Sequence, residues 1–209
     1  MRKKIIGISG KIGSGKDTFA ELLADMLTDN VERHALADNL RLITEIVSGI
    51  KMGVTHEKGR PFCNKVYNYT QDQKNLKIPQ FNKTIGETLQ LIGTDLFRDN
   101  YDKDIWVKSF FNESLNDKLN IGKIIVIPDV RFINEADYIL DNGGYLIRLE
   151  GDPMNVRENS FRDLTHRSEI ELDGYTKFDK VIYNDKKDID VLKNIVNDLI
   201  IELGLDERY

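Results

Sequence analysis

Ile5-Ile6-Gly7-Ile8-Ser9-Gly10-Lys11-Ile12-Gly13-Ser14-Gly15-Lys16-Asp17-Thr18 is the stretch that decides the fold. An apolar run leads into a glycine-rich turn, and Phe19, Leu22, Leu23, Met26 and Leu27 follow at helical spacing. Strand, glycine turn and helix in that order make a phosphate-binding loop. Glycines let backbone N–H groups converge on an anion, and the helix adds the positive end of its dipole. Lys16 stands where an ammonium reaches the β- and γ-phosphates of a nucleoside triphosphate, the ligand first expected here. Gly10, Gly13, Ser14, Gly15, Lys16, Asp17 and Thr18 are the expected binding residues. A turn that binds nothing is the alternative. The residue after the loop lysine is usually Ser or Thr, whose hydroxyl meets magnesium; here it is Asp17, followed by Thr18.

Outward from the loop, strand and helix patterns alternate. Strands are expected at 4–9, 31–37, 124–127, 145–149 and 181–183, and helices at 15–28, 38–48, 134–142 and 189–203. Ile85, Leu89, Ile92 and Leu96 mark one face of a helix that opens on the capping box Thr84-Ile85-Gly86-Glu87. Trp106, Val107, Phe110, Phe111 and Leu115 mark the inner face of another, expected over 104–119. Residues 49–82, with Gly49, Gly53, Gly59, Pro61 and Pro79, read as an irregular insertion with some helix in 67–75. The uninterrupted Ile124-Ile125-Val126-Ile127 predicts a central strand of a parallel sheet. The whole order predicts one α/β domain over 1–209, a doubly wound parallel sheet flanked by helices, with ligands beyond the carboxyl ends of the strands.

Composition narrows the function. The chain has 209 residues, a net charge of −5 and no long basic run, which argues against a broad nucleic-acid-binding face. Cys63 is the single cysteine, so an internal disulfide and a cysteine-based zinc site are excluded; a reducing cytoplasm is expected. No stretch is long and apolar enough to span a bilayer, and the run after Arg2-Lys3-Lys4 is too short for a signal peptide.

A second constellation follows the 124–127 strand. Asp129 is placed to hold magnesium or its water shell, and Arg131 to grip a phosphoryl group with its planar fork. A plain ion pair between them is the structural alternative. Arg41, Arg98 and Arg148 are further basic candidates. Arg157, Arg162 and Arg167 decorate the polar segment 151–168, which reads as a lid whose arginines neutralise a transferring phosphoryl group; His166 lies within it as a ligand or a positioned structural group.

Gly15-Lys16-Asp17-Thr18, Leu89-Gln90-Leu91-Ile92-Gly93-Thr94-Asp95-Leu96 and Asp104-Ile105-Trp106-Val107-Lys108 together resemble the deoxynucleoside monophosphate kinases of tailed bacteriophages. So do Ile127-Pro128-Asp129-Val130-Arg131, Thr165-His166-Arg167-Ser168-Glu169 and Val181-Ile182-Tyr183-Asn184-Asp185. The resemblance implies a nucleoside monophosphate kinase-like fold with about five parallel strands and a lid. It implies ATP with magnesium as donor, a deoxynucleoside monophosphate as acceptor, a homodimer, and a host cytoplasm if the chain is viral. It implies ATP binding by residues 13–18, magnesium at Asp129, Asp17 or Thr18, and catalysis by Lys16, Arg131 and Asp129. Asp38 and Arg41 would lie near the acceptor, although the family's Gly-Pro pair is here Asp38-Asn39. Gln90, Thr94, Asp95, Arg98 and Trp106 would line the acceptor pocket, with Trp106 stacking on a base or buried as core; Glu169 joins the lid residues. Two other readings stay open: a phosphomevalonate kinase-like enzyme, whose loop is related, and a nucleotide-controlled switch.

Overall fold

The computed structural model describes residues 4–27, 31–59, 61–111, 122–158, 164–185 and 188–205. Five parallel strands form the central sheet: β1 (Ile5–Gly10), β2 (Val31–Arg33), β7 (Ile124–Val130), β8 (Tyr145–Glu150) and β9 (Lys180–Tyr183), in the spatial order β2-β7-β1-β8-β9. β1 lies at the centre, hydrogen-bonded to β7 on one side and β8 on the other. All six of its residues are buried, which is why it reads as an apolar run rather than an alternation.

The two faces of the sheet sort by the period of two. Ile6, Ile8, Val126, Ile147 and Leu149 meet α1 (Lys16–Met26) and α8 (Ile189–Glu202) through Phe19, Leu23, Leu192 and Val196. Ile5, Ile125, Ile127 and Leu146 meet α5 (Ile105–Phe110) and α6 (Ile133–Asp141) through Val107, Ala136 and Ile139. Gly7 is small because α6 comes close: a Cβ there would stand 2.7 Å from Ile139 Cδ1.

The register shows a bulge where β7 ends. Gly7 pairs with Ile127 but Ser9 pairs with Val130, so Pro128-Asp129 carries one residue more than its partner strand. Proline cannot donate to the ladder, and bulges re-aim side chains at sheet rims. Asp129 is the residue re-aimed.

The stretch 49–82 departs from the expectation of an irregular insertion. Beyond α2 (Asp38–Ser48), β3 (Gly53–His56) pairs antiparallel with β4 (Val66–Asn68), and β5 (Lys77–Ile78) pairs with β6 (Lys83–Thr84). Between them α3 (Gln71–Asn75) opens on a capping box made by Thr70 and Gln73. These strands are two to four residues long, too short to print a period-two pattern. Their core is small: Tyr69, Ile78 and Ile85, backed by Ile50, Met52 and Leu89. α4 (Ile85–Gln90) has the expected Thr84–Glu87 capping box and runs straight into a π-helical stretch, Leu91–Arg98. There Asp99 N–H reaches Thr94 O, five residues back. The wider winding breaks the 3.6-residue stripe, so Leu96 faces solvent although Ile85 and Ile92 are buried. Of the helix expected over 104–119, residues 112–119 lie outside the described set. No described helix is long and apolar enough to cross a membrane.

Candidate active site

The loop leaves β1 at the carboxyl edge of the sheet and winds back as Gly10, Gly13 and Gly15, all at positive φ. Gly15, at φ 87°, caps α1, and no side chain satisfies the helix's first amides. The Ser14 hydroxyl is buried without a hydrogen-bond partner. The Lys16 ammonium donates to Lys11 O (2.9 Å). Burial, then the nearby Arg131 charge, bring the Lys16 pKa down to about 8. An uncapped helix start, an orphaned buried hydroxyl and a desolvated ammonium form a hollow rich in donors, which fits a phosphate chain.

Neighbouring strand ends brace it. Asn184, after β9, donates its amide to Ser14 O (3.0 Å), and a Cβ at Gly15 would stand 2.6 Å from that amide nitrogen. Arg148 donates to Ser9 Oγ (3.1 Å), Glu150 and Asp173, and Lys11 pairs with the same Asp173. Of the lid residues, Arg157 donates to Ile12 O (3.0 Å), and Asp152 accepts from Val156 and Arg157 amides beside Gly13. Arg162 lies outside the described residues. Arg167 points outward and pairs with Glu171, and His166 accepts from the Ser168 amide; neither reaches the loop in this conformation.

Arg131 does face the loop. Its guanidinium pairs with Glu169, on the short helix α7 (Arg167–Ile170), and donates to Ser168 O. Glu169 also accepts from the Ile12 amide (3.1 Å). Burial alone raises the Glu169 carboxyl, but Arg131, the Ile12 amide and Lys16 outweigh it and hold it below the usual range. Arg131's own amide donates to Glu135 (2.8 Å).

Three residues singled out from the sequence are tied into the scaffold around the site. Asp129 accepts from the Leu36 and Ala37 amides (3.0 and 3.3 Å) and faces Arg41 at 3.7 Å. It clamps the turn that starts α2. Arg98 is buried against Glu135, bonded to Lys103 O and Asn134, and stacked 3.8 Å over the Phe132 ring. Glu135, pushed up to about 7 by burial against the opposing charge of Arg98, receives both the Arg131 and Phe132 amides. Arg98 is therefore the buried counter-ion of Glu135. Trp106 is core: its indole donates to Gly93 O (2.9 Å) and its ring leans on Phe97.

An open cleft lies beside α2. A cavity of about 410 Å³ runs between α2 and the β3–β4 ribbon, walled by Arg33, His34, Asp38, Leu42, Met52 and Tyr67. Gln90, Thr94 and Asp95 are not among its lining residues. Asp38 accepts from Ala35 N–H and Arg41, and burial raises its carboxyl above the usual range despite Arg41. Arg33 joins cleft and loop, because its guanidinium pairs with Asp17 at the start of α1. Sequence reasoning missed Arg33 and Asn184, although both end sheet strands at the ligand edge. Tyr67 had no signal, lying in the insertion.

A magnesium ion fits here as a companion of the phosphates rather than a resident. Among the described residues, no three His, Cys, Asp or Glu side chains converge on one point. Magnesium commonly keeps its waters and binds through substrate phosphates with one or two carboxylates. Exposed Asp17 and Thr18, at the mouth of the hollow, are the groups in place for it.

A family model described as deoxynucleotide monophosphate kinase matches residues 47–196. The chain belongs to that family. The match begins beyond the glycine loop, so the loop is a separate sign of phosphate binding. The "Putative deoxynucleotide monophosphate kinase" of Acanthamoeba polyphaga mimivirus is 34% identical over 192 residues, 87% of this chain and 89% of that protein. TT1252 from Thermus thermophilus shares the fold at a TM-score of 0.51 and 19% identity, over 97% of this chain and 99% of that one. A shikimate kinase from Bacteroides thetaiotaomicron aligns at 0.48 and 16%, over 96% and 98%. The chain is a nucleotide kinase, a phosphotransferase.

Two outcomes follow for this deoxynucleotide monophosphate kinase family member. Arg98→Met removes the charge that favours ionised Glu135, so Glu135 takes up a proton and its bonds from the Arg131 and Phe132 amides weaken; unfolding in urea should show a loss of about 1–3 kcal/mol with the acceptor KM of the folded enzyme unchanged. A raised acceptor KM at unaltered stability would return Arg98 to the acceptor pocket. Lys16 titrates near 8 in the free enzyme, and the triphosphate prefers its charged form. The donor kcat/KM should therefore fall as pH rises through about 8, and donor binding at about pH 8.5 should take up a proton, seen as buffer-dependent heat in calorimetry. A flat profile to about pH 9.5 would contradict this assignment.

Proposed function

We propose that the chain transfers the γ-phosphate of ATP to a deoxynucleoside 5′-monophosphate, giving ADP and the diphosphate. The observation that carries this reading is the junction at Asp17–Arg33, where a donor-rich hollow meets a cleft large enough for a nucleotide. The hollow takes the triphosphate through the loop amides, Ser14 and Lys16. Arg33 and His34 give the near end of the cleft a polar edge suited to the acceptor phosphate. Leu42, Met52 and the half-exposed Tyr67 ring offer the base an apolar and aromatic wall.

An acceptor phosphate is already anionic at neutral pH, so alignment and charge neutralisation supply most of the catalysis. An acceptor oxygen forms a bond to the γ-phosphorus while the bond to the β–γ bridging oxygen breaks, and the electron pair leaves with ADP. Lys16 stays on the donor side throughout. Arg131, beside the loop, is placed to spread its planar fork over the phosphoryl oxygens in flight. Asp129 contributes from behind by holding the 35–37 turn and Arg41 at the cleft. Magnesium, where Asp17 and Thr18 receive it, would screen the β- and γ-phosphate charges.

ADP release measured across the common ribo- and deoxyribonucleoside monophosphates tests the reading. Stimulation by at least one deoxynucleoside monophosphate, well above acceptor-free hydrolysis, is expected. Tyr67→Ala should then raise the KM for that acceptor about tenfold while leaving the acceptor-free rate alone. ADP release indifferent to every nucleotide acceptor would contradict the transfer and leave a nucleotide-binding switch.

A further inference from the structure

Glu169 is the unexpected occupant of the phosphate hollow. The residue is 8% exposed, and its carboxylate sits among groups suited to a phosphate. One oxygen accepts from the Ile12 amide at 3.1 Å, inside the glycine loop. The other pairs with Arg131, and the Lys16 charge lies close enough to stabilise the ionised form. A carboxylate and a phosphate edge present the same pair of acceptor oxygens to an amide and a guanidinium. The neighbouring cations are already matched: Arg148 by Ser9, Glu150 and Asp173, and Lys11 by Asp173. Glu169 is thus the anion that balances Arg131 and the Ile12 amide in the ligand-free chain.

We propose that Glu169 is a placeholder for the transferring phosphoryl group, a carboxylate that the incoming phosphate chain must displace and that thereby sets the enzyme's affinity for its donor. This rests on the reading that the hollow takes a phosphate chain. Both anions cannot share the Ile12 amide and the Arg131 fork, since two like charges at hydrogen-bond range repel strongly once desolvated. Displacement makes the resting site self-neutralised, so a small phosphate anion meets a competitor before it meets the loop. A full nucleotide, with its base and sugar anchored elsewhere, has more contacts with which to turn the carboxylate out.

Inorganic pyrophosphate, which carries the phosphate chain and nothing else, is the probe. Calorimetric titration of the full chain should show Glu169→Gln binding it about tenfold more tightly than the wild type, because the amide keeps the shape and loses the competing charge. Glu169→Asp, one methylene shorter and unable to span from Arg131 to the Ile12 amide, should fall between the two. In the wild type without ligand, the Ile12 amide should exchange with solvent slowly, and pyrophosphate should keep it slow through a new partner. Weaker or equal pyrophosphate binding by both variants would overturn the placeholder and make Glu169 a fixed support for Arg131. If the wild type and both variants bind no pyrophosphate at all, the hollow itself is lost, and with it both this inference and the proposed function.

Discussion

A buried surplus of hydrogen-bond donors is the constraint on which the site depends. The first amides of α1 have no side-chain cap, the Ser14 hydroxyl has no partner, and Lys16 is desolvated far enough to lower its pKa. Leaving one buried polar group unpaired costs about 1–3 kcal/mol, and the Ser14 hydroxyl is such a group, beside an ammonium held in a desolvated position. A chain tolerates that only where an anion repays it, which is why strained glycines and a charged carboxylate meet at the same few atoms. The sheet supplies the rigidity: β1 is buried on both faces, and its end cannot move without disturbing two hydrophobic layers.

The second half of the site is built differently. The loop is shaped by backbone, whereas the cleft is shaped by side chains holding turns. Asp129, re-aimed by the bulge at Pro128, fastens the 35–37 turn, and Asp38 and Arg41 complete that clamp. Glu135 does the same for the 131–132 amides, with Arg98 as its buried counter-ion. Each carboxylate faces backbone N–H groups, so the charged residues nearest the strand ends mostly fix geometry. Arg33 and Arg131 pair with carboxylates beside the loop, Asp17 and Glu169.

That difference decides how much was legible in the sequence. The glycine loop, the sheet and the helices around it were readable because glycine spacing, an apolar run and a 3.6-residue stripe are local signals. Leu96 misled because a π-helical turn changes the period that exposes it. Residues 49–82 were opaque because ribbons of two to four residues print no pattern, and Tyr67 was hidden with them. The surroundings of Arg98 and Trp106 were not legible for another reason: a motif shared with a family says that a residue matters, not whether it touches ligand or core. Asp129 stands out in the sequence by its place at a strand end, but its hydrogen bonds from the Leu36 and Ala37 amides come from a chain segment 92–93 residues away and leave no local signal.

The most direct test is a crystal structure with a dinucleoside polyphosphate that joins adenosine to a deoxynucleoside. The account requires the polyphosphate chain along the loop amides, within hydrogen-bond reach of Ser14 Oγ and Lys16 Nζ, with the deoxynucleoside between α2 and Tyr67 and the Glu169 carboxylate turned away from Ile12. A chain bound elsewhere, with Glu169 still seated on the Ile12 amide, would contradict it.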